Sequence, residues 1–134
     1  DKSIRSIKDA EKFIKDGPKK SYKDYDHGLY LVQLKDSTSI GICGLLKREN
    51  LDLPDIGFAI LPNYRKMGFI YEASKAVIQD AKKRLLYDNI AAISSPNNNA
   101  SANLLIKLGF KFKEIIRIDS DNKPTELYII QIDS

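Results

Sequence analysis

Between Ile56 and Ala73 the chain switches its hydrophobic pattern, and that switch constrains the fold more than any other feature. Ile56 to Leu61 is an almost unbroken apolar run that Pro62 closes. A short basic turn with Arg65 and Lys66 follows, then Gly68, then an amphipathic pattern beginning near Phe69. The order reads as strand, loop and helix, with the helix N-terminus presented at the end of the strand. Unpaired N–H groups and the positive end of the helix dipole gather at such a terminus, which suits a phosphate. The loop is neither a P-loop nor a dinucleotide fingerprint, since G-x-x-x-x-G-K-[ST] and G-x-G-x-x-G are both absent. A glycine also serves any strand-to-helix turn, so this segment alone leaves a phosphate site and a plain turn as alternatives.

The rest of the chain fits an α/β arrangement. Ser6-Ile7-Lys8-Asp9 has the form of a helix start, with Ala10, Phe13 and Ile14 on one apolar face and Gly17-Pro18 as its stop. Lys19 to His27 reads as loop. Leu29 to Leu34 and Ser39 to Leu46 read as a hairpin around Lys35-Asp36-Ser37-Thr38. Asn50 to Asp55 is the next turn, and the continuous apolarity of Ile56 to Leu61 points to a central strand with both faces covered. In the helix after Gly68, Ile70, Ala73, Val77, Ala81 and Leu85 repeat at helical spacing, and Asp88-Asn89 marks the end. Ile90 to Ser94 is a short strand. Pro96-Asn97-Asn98-Asn99 supplies a helix cap, Leu104, Leu105 and Leu108 form a stripe, and Gly109 suits the C-terminal cap. Phe110 to Ile118 and Glu126 to Ile132 complete a mixed sheet with helices on its faces.

A length of 134 residues predicts one domain over 1–134. The single cysteine, Cys43, excludes an internal disulfide and fits a reducing, cytoplasmic setting. No apolar run is long enough to span a bilayer. A net charge of +4 favours an anionic ligand, but acidic residues interleave with the lysines and argue against nucleic acid. Met67 is the only methionine, so residue 1 is not an intact translation start, and part of the native N-terminus is expected to be missing.

Three segments in register resemble the GNAT superfamily of acetyl-CoA-dependent N-acetyltransferases, in the branch that acetylates N-terminal residues of ribosomal proteins. They are Asp55-Ile56-Gly57-Phe58-Ala59-Ile60-Leu61-Pro62, Arg65-Lys66-Met67-Gly68-Phe69-Ile70-Tyr71-Glu72-Ala73, and Ser95-Pro96-Asn97-Asn98-Asn99-Ala100-Ser101 continuing to Gly109-Phe110; together they span about half of the chain. The resemblance implies a mixed, mostly antiparallel sheet splayed at the cofactor site, with helices on both faces and without the family's first strand and helix. It implies that main-chain amides around Lys66, Met67, Gly68, Phe69 and Ile70 hold the pyrophosphate of acetyl-CoA, with Arg65 beside them. The backbone of Phe58, Ala59 and Ile60 would pair with the pantetheine arm, Asn98 would hydrogen-bond its amides, and Asn103 would lie along it. Ser101 would sit near the thioester sulfur as the acid. Two positions depart from the family pattern: Ile70 stands where glycine or alanine is usual, and Leu105 where many relatives place a tyrosine acid.

The implied reaction is direct transfer of acetyl to a primary amine, small-molecule or peptide, without a covalent enzyme intermediate. The alternative is a non-catalytic CoA-binding or protein-interaction domain on the same fold; a basic nucleic-acid-binding domain ranks behind both. The base is open between Asp55, which also reads as a turn residue, and Glu49. His27, the only histidine, falls in a loop and leaves no His-based metal cluster. Cys43 reads as a small buried hydrophobe; a Cys43–His27 nucleophilic pair has no supporting motif. Tyr22, Tyr25, Tyr30 and Tyr64 are candidates for an acceptor groove or for packing. Metal and membrane partners are not expected, and the chain is read as a monomer or homodimer.

Overall fold

A computed structural model of the chain describes residues 28–48, 50–117 and 122–132. The expected first helix, Tyr22, Tyr25, His27 and Glu49 lie outside the described residues. The described elements are β1 (Leu29–Gln33), β2 (Ser39–Leu46), β3 (Asp55–Ile60), α1 (Phe69–Lys83), β4 (Asn89–Ser94), α2 (Asn99–Leu108), β5 (Lys111–Ile116) and β6 (Thr125–Gln131). The strands form a six-stranded sheet in the order β1-β2-β3-β4-β6-β5. β1 with β2, β4 with β6, and β5 with β6 pair antiparallel, while β3 with β4 is parallel. β2 and β3 also run in opposite directions: Leu61 N–H donates to Ile40 O, while at the other end Gly57 faces Leu46. The sheet is therefore mixed and mostly antiparallel.

Packing divides the chain into two compact units, and the division cuts β3 itself. Of the described residues, one unit holds those up to Leu46 together with Gly57–Val77, and the other holds those from Lys47 to Ile56 and from Ile78 onward.

In the first unit, Leu29 and Ile42 pack with Leu46 and Ala59. The β1–β2 hairpin turns without a glycine. Ser37 takes φ +74°, and Asp36 Oδ1 accepts the Thr38 N–H at 3.0 Å. Asp and Ser manage such turns by side-chain bonds to nearby backbone. The start of α1 buries Ile70 and, against the expected stripe, Ser74, whose hydroxyl lies 3.5 Å from Cys43 Sγ. Burial pushes the Cys43 thiol up to about 11, a neutral core group rather than a nucleophile.

In the second unit, β4 contributes Ile90, Ala91 and Ala92 to the core, joined by Leu105, Phe110, Leu127 and Tyr128. β6 inserts between β4 and β5, with Ile90 opposite Ile130 and Phe112 opposite Tyr128. Those two rings meet edge to face at 5.8 Å. Gly109 takes φ +107° and closes α2, its N–H donating to Ile106 O at 3.0 Å.

Two expectations are corrected. α1 ends at Lys83, before Leu85 and well before Asp88, because Leu86 at φ +59° turns the chain out of the helix in a role usually filled by glycine. β3 is central in strand order, but only Asp55 and Ile56 are fully buried; Gly57 to Ile60 are half-buried.

Candidate functional site

The loop after β3 is built by its own backbone. Leu61 N–H donates to Ile40 O at 2.8 Å, which anchors the strand end before Pro62–Tyr64 form a single 3-10 turn with proline at its start. Lys66 then takes φ +63° and Gly68 φ +85°, with Met67 between them in the ordinary half of φ. Left-handed residues alternating with ordinary ones in this way can turn successive amides toward one side of a loop. Among the described residues, the main-chain N–H groups of Lys66, Met67, Gly68, Phe69 and Ile70 have no acceptor. Gly68 O accepts the Glu72 N–H at 3.0 Å and so opens α1. A Cβ placed on Gly68 would meet nothing within 4 Å, so the space above this turn is open.

Arg65, Lys66 and Met67 are exposed, while Phe69 is half-buried and its ring lies 6.3 Å from that of Tyr64. Tyr64 is thus a packing partner of the helix start. Ile70, the departure from the family pattern, is 7% exposed. Its branched side chain points into the core, so it leaves the loop's open side clear.

On β3 the main-chain groups divide by edge. N–H and C=O groups alternate between the two edges of a strand. Ala59 O lies against Gly41 of β2, and Leu61 N–H bonds Ile40 of β2. The groups of Phe58 and Ile60 therefore face the edge away from β2, and Ala59 faces β2 itself.

In the other unit, Asn98 caps α2, its Oδ1 accepting the Ser101 N–H at 3.0 Å. The cap places Ser101 half-buried in the first turn and leaves the Asn98 amide NH2 as its remaining donor. Asn103 is exposed on the same helix, and Leu105, where a tyrosine acid is usual, is fully buried.

Asp55 is 1% exposed at the start of β3. Its Oδ1 accepts from Arg48 Nε at 2.9 Å, whereas Oδ2 has no partner among the described residues. Burial raises the carboxyl above the usual Asp range, against the opposing pull of Arg48 and Lys47. No hydrogen bond joins Asp55 to Ser101 among the described residues. Sequence reading missed Arg48, which carried no motif. It also passed over Gly41, although a glycine inside an apolar strand is a signal of close backbone approach.

The family profile of the acetyltransferase (GNAT) domain matches residues 2–111. The chain belongs to the GNAT acetyltransferase family. The uncharacterized protein YkkB of Bacillus subtilis (strain 168) is 27% identical over 109 residues, covering 79% of this GNAT chain and 62% of YkkB. The chain thus spans about three fifths of that curated relative. A candidate ribosomal-protein-serine acetyltransferase from Vibrio cholerae superposes with a TM-score of 0.78 at 19% identity, covering 95% of this chain and 76% of the other. The structure of yncA, a candidate acetyltransferase from Salmonella typhimurium, with its cofactor acetyl-CoA, gives 0.72 at 14% identity, covering 86% and 70%. At these identities the structural likeness speaks to the fold.

Proposed function

We propose that this chain is an N-acetyltransferase that moves an acetyl group from acetyl-CoA directly to a primary amine. One observation carries the reading. In a GNAT chain, the amides from Lys66 to Ile70 lack acceptors among the described residues, beside an open turn at Gly68. A diphosphate fits that chemistry, because consecutive unpaired N–H groups at a helix N-terminus are an anion site. Arg65 and Lys66 would add positive charge, Phe58 and Ile60 would offer strand hydrogen bonds to the pantetheine amides, and the Asn98 NH2 would add a donor.

Bound acetyl-CoA supplies an already activated thioester, so the protein need not provide a nucleophile. The chain's residues align the amine, and alignment is worth effective molarities of about 10⁵ M or more. Ser101 would donate a proton to the departing sulfur as the N–C bond forms and the C–S bond breaks. Asp55 would receive the amine's proton by way of water, since its Oδ2, the oxygen that Arg48 leaves unpartnered, is itself buried. A raised carboxyl pKa suits this role, and a base adds about 10²–10⁴-fold. The N–H of Phe58 or Ile60, on the strand edge away from β2, would stabilise the developing negative charge.

The acceptor class extends to peptide N-termini and small amines. With its one cysteine buried and unpaired, the chain suits a reducing compartment, and the reading assigns it to the cytoplasm.

Thermal-shift titration tests the cofactor. Acetyl-CoA at 100 times its Kd should stabilise the fold by about 2.7 kcal/mol. No shift at millimolar acetyl-CoA removes the reading. The burial of Leu105 favours a second reading, a CoA-binding domain without turnover. Stabilisation without release of free CoA thiol, across a panel of peptide and small amines, would select it.

A further inference from the structure

Gly41 sits in β2 beside the stretch of β3 assigned above to the pantetheine arm. A Cβ at Gly41 would stand 2.4 Å from Ala59 O and 3.1 Å from Ile60 Cα. Both neighbours are backbone, so no side-chain rotation can relieve the overlap. The carbonyl of Ala59 occupies space that any residue but glycine would fill.

The consequence lies on the opposite edge of β3. The planes of successive peptides are linked, so the tilt of the Ala59 carbonyl toward β2 sets the direction of the Phe58 and Ile60 groups away from it. Leu61 N–H, held by Ile40 O at 2.8 Å, fixes the next peptide in the same sense. We infer that Gly41 is a positioning residue for the cofactor: its missing side chain lets β3 approach β2 closely enough to aim the Phe58 and Ile60 main chain at the pantetheine amides. The inference rests on the proposed acetyl-CoA reading and adds a residue of this chain to it.

Gly44 provides an internal control. Its Cβ would meet Gly28 O at 2.0 Å and Leu29 Cα at 2.8 Å, a backbone clash at least as severe but directed at β1. Gly41→Ala and Gly44→Ala therefore both strain β2, and only the first displaces β3.

Isothermal titration with acetyl-CoA, below the melting temperature of each variant, should show Gly41→Ala weakened by about tenfold or more, the loss of one or two main-chain hydrogen bonds. Gly44→Ala should stay within about twofold of the parent. Adenosine 3′,5′-bisphosphate, which lacks the pantetheine arm, should bind the parent and Gly41→Ala alike. Undiminished acetyl-CoA binding by Gly41→Ala, or an equal loss in Gly44→Ala, overturns the inference while the cofactor reading stands. A parent that binds no acetyl-CoA removes the cofactor reading itself, and this inference with it. Should Gly41→Ala fail to fold, the unaltered protein decides by NMR. The Gly41 amide resonance should shift with acetyl-CoA but not with the bisphosphate, and a resonance that stays fixed with acetyl-CoA overturns the proposal.

Discussion

Replacing Gly68 with valine separates a phosphate-binding loop from a turn that merely starts a helix. Gly68 holds φ +85°, and nothing lies within 4 Å of the position its Cβ would take. The penalty to folding is therefore conformational rather than steric against neighbours. A Cβ in left-handed backbone costs roughly 1–2 kcal/mol, and a β-branched one sits toward the upper end. Melting should fall by about 4 °C for each kcal/mol at this chain length. A domain with about 5 kcal/mol or more of stability keeps at least about nineteen molecules in twenty folded after such a loss. Any larger change in affinity must then come from the site. Valine at this position fills the open side of the turn, where the amides of Gly68 and Phe69 would meet phosphate. Hydrogen bonds to a charged group are worth about 1.5–3 kcal/mol each, so losing two weakens acetyl-CoA by about a hundredfold or more. Titration calorimetry at 25 °C reads the result directly. A Gly68→Val protein that binds within about threefold of the parent refutes the loop assignment.

Asn98 offers a cleaner separation of two roles. Asn98→Ala loses the cap on Ser101 N–H and should cost about 1 kcal/mol by urea denaturation, whereas Asn98→Asp keeps the cap and exchanges the NH2 donor for a negatively charged oxygen. Acetyl-CoA affinity should fall in both if that donor meets the cofactor, and unchanged affinity in Asn98→Asp assigns the residue to capping alone. Because burial raises the Asp55 carboxyl, the folded state holds its proton more tightly than the unfolded chain. Its contribution is present at low pH and lost as pH rises through the folded value, so the stability difference between parent and Asp55→Asn should shrink from acid toward neutral pH. A difference that grows over that range reverses the assignment. Cys43 behaves in the same sense in alkali. With its thiol raised from 9.0 to about 11, the parent should lose stability between those values relative to Cys43→Ala, by about 2–3 kcal/mol. Parallel pH curves for the two proteins would show that the thiol does not titrate differently on folding.

Elements with strong local periodicity were legible from residues alone. Ile70 and Ala81 fall on the buried face of α1 as the 3.6-residue spacing requires, and Asn98 and Gly109 cap α2 as their side-chain chemistry implies. The β1–β2 hairpin was legible too, although Ser37 and Asp36 turn it where a glycine would be the clearer sign. The end of α1 was not, because a leucine in left-handed backbone leaves no mark in the pattern. Ser74 was hidden for a related reason: a polar residue on the apolar face is buried only because β2 brings Cys43 to it.

Local order, the apolar run before Pro62, the basic turn, and the helix starts at Phe69 and Asn99, was written in the sequence because each depends on residues within a few positions of one another. The position of β6 between β4 and β5, the ion pair of Arg48 with a buried Asp55, and the close approach of Ala59 to Gly41 were decided by tertiary structure. Those features depend on which distant backbones share a sheet and which charges lose their water, and no spacing along a chain encodes either.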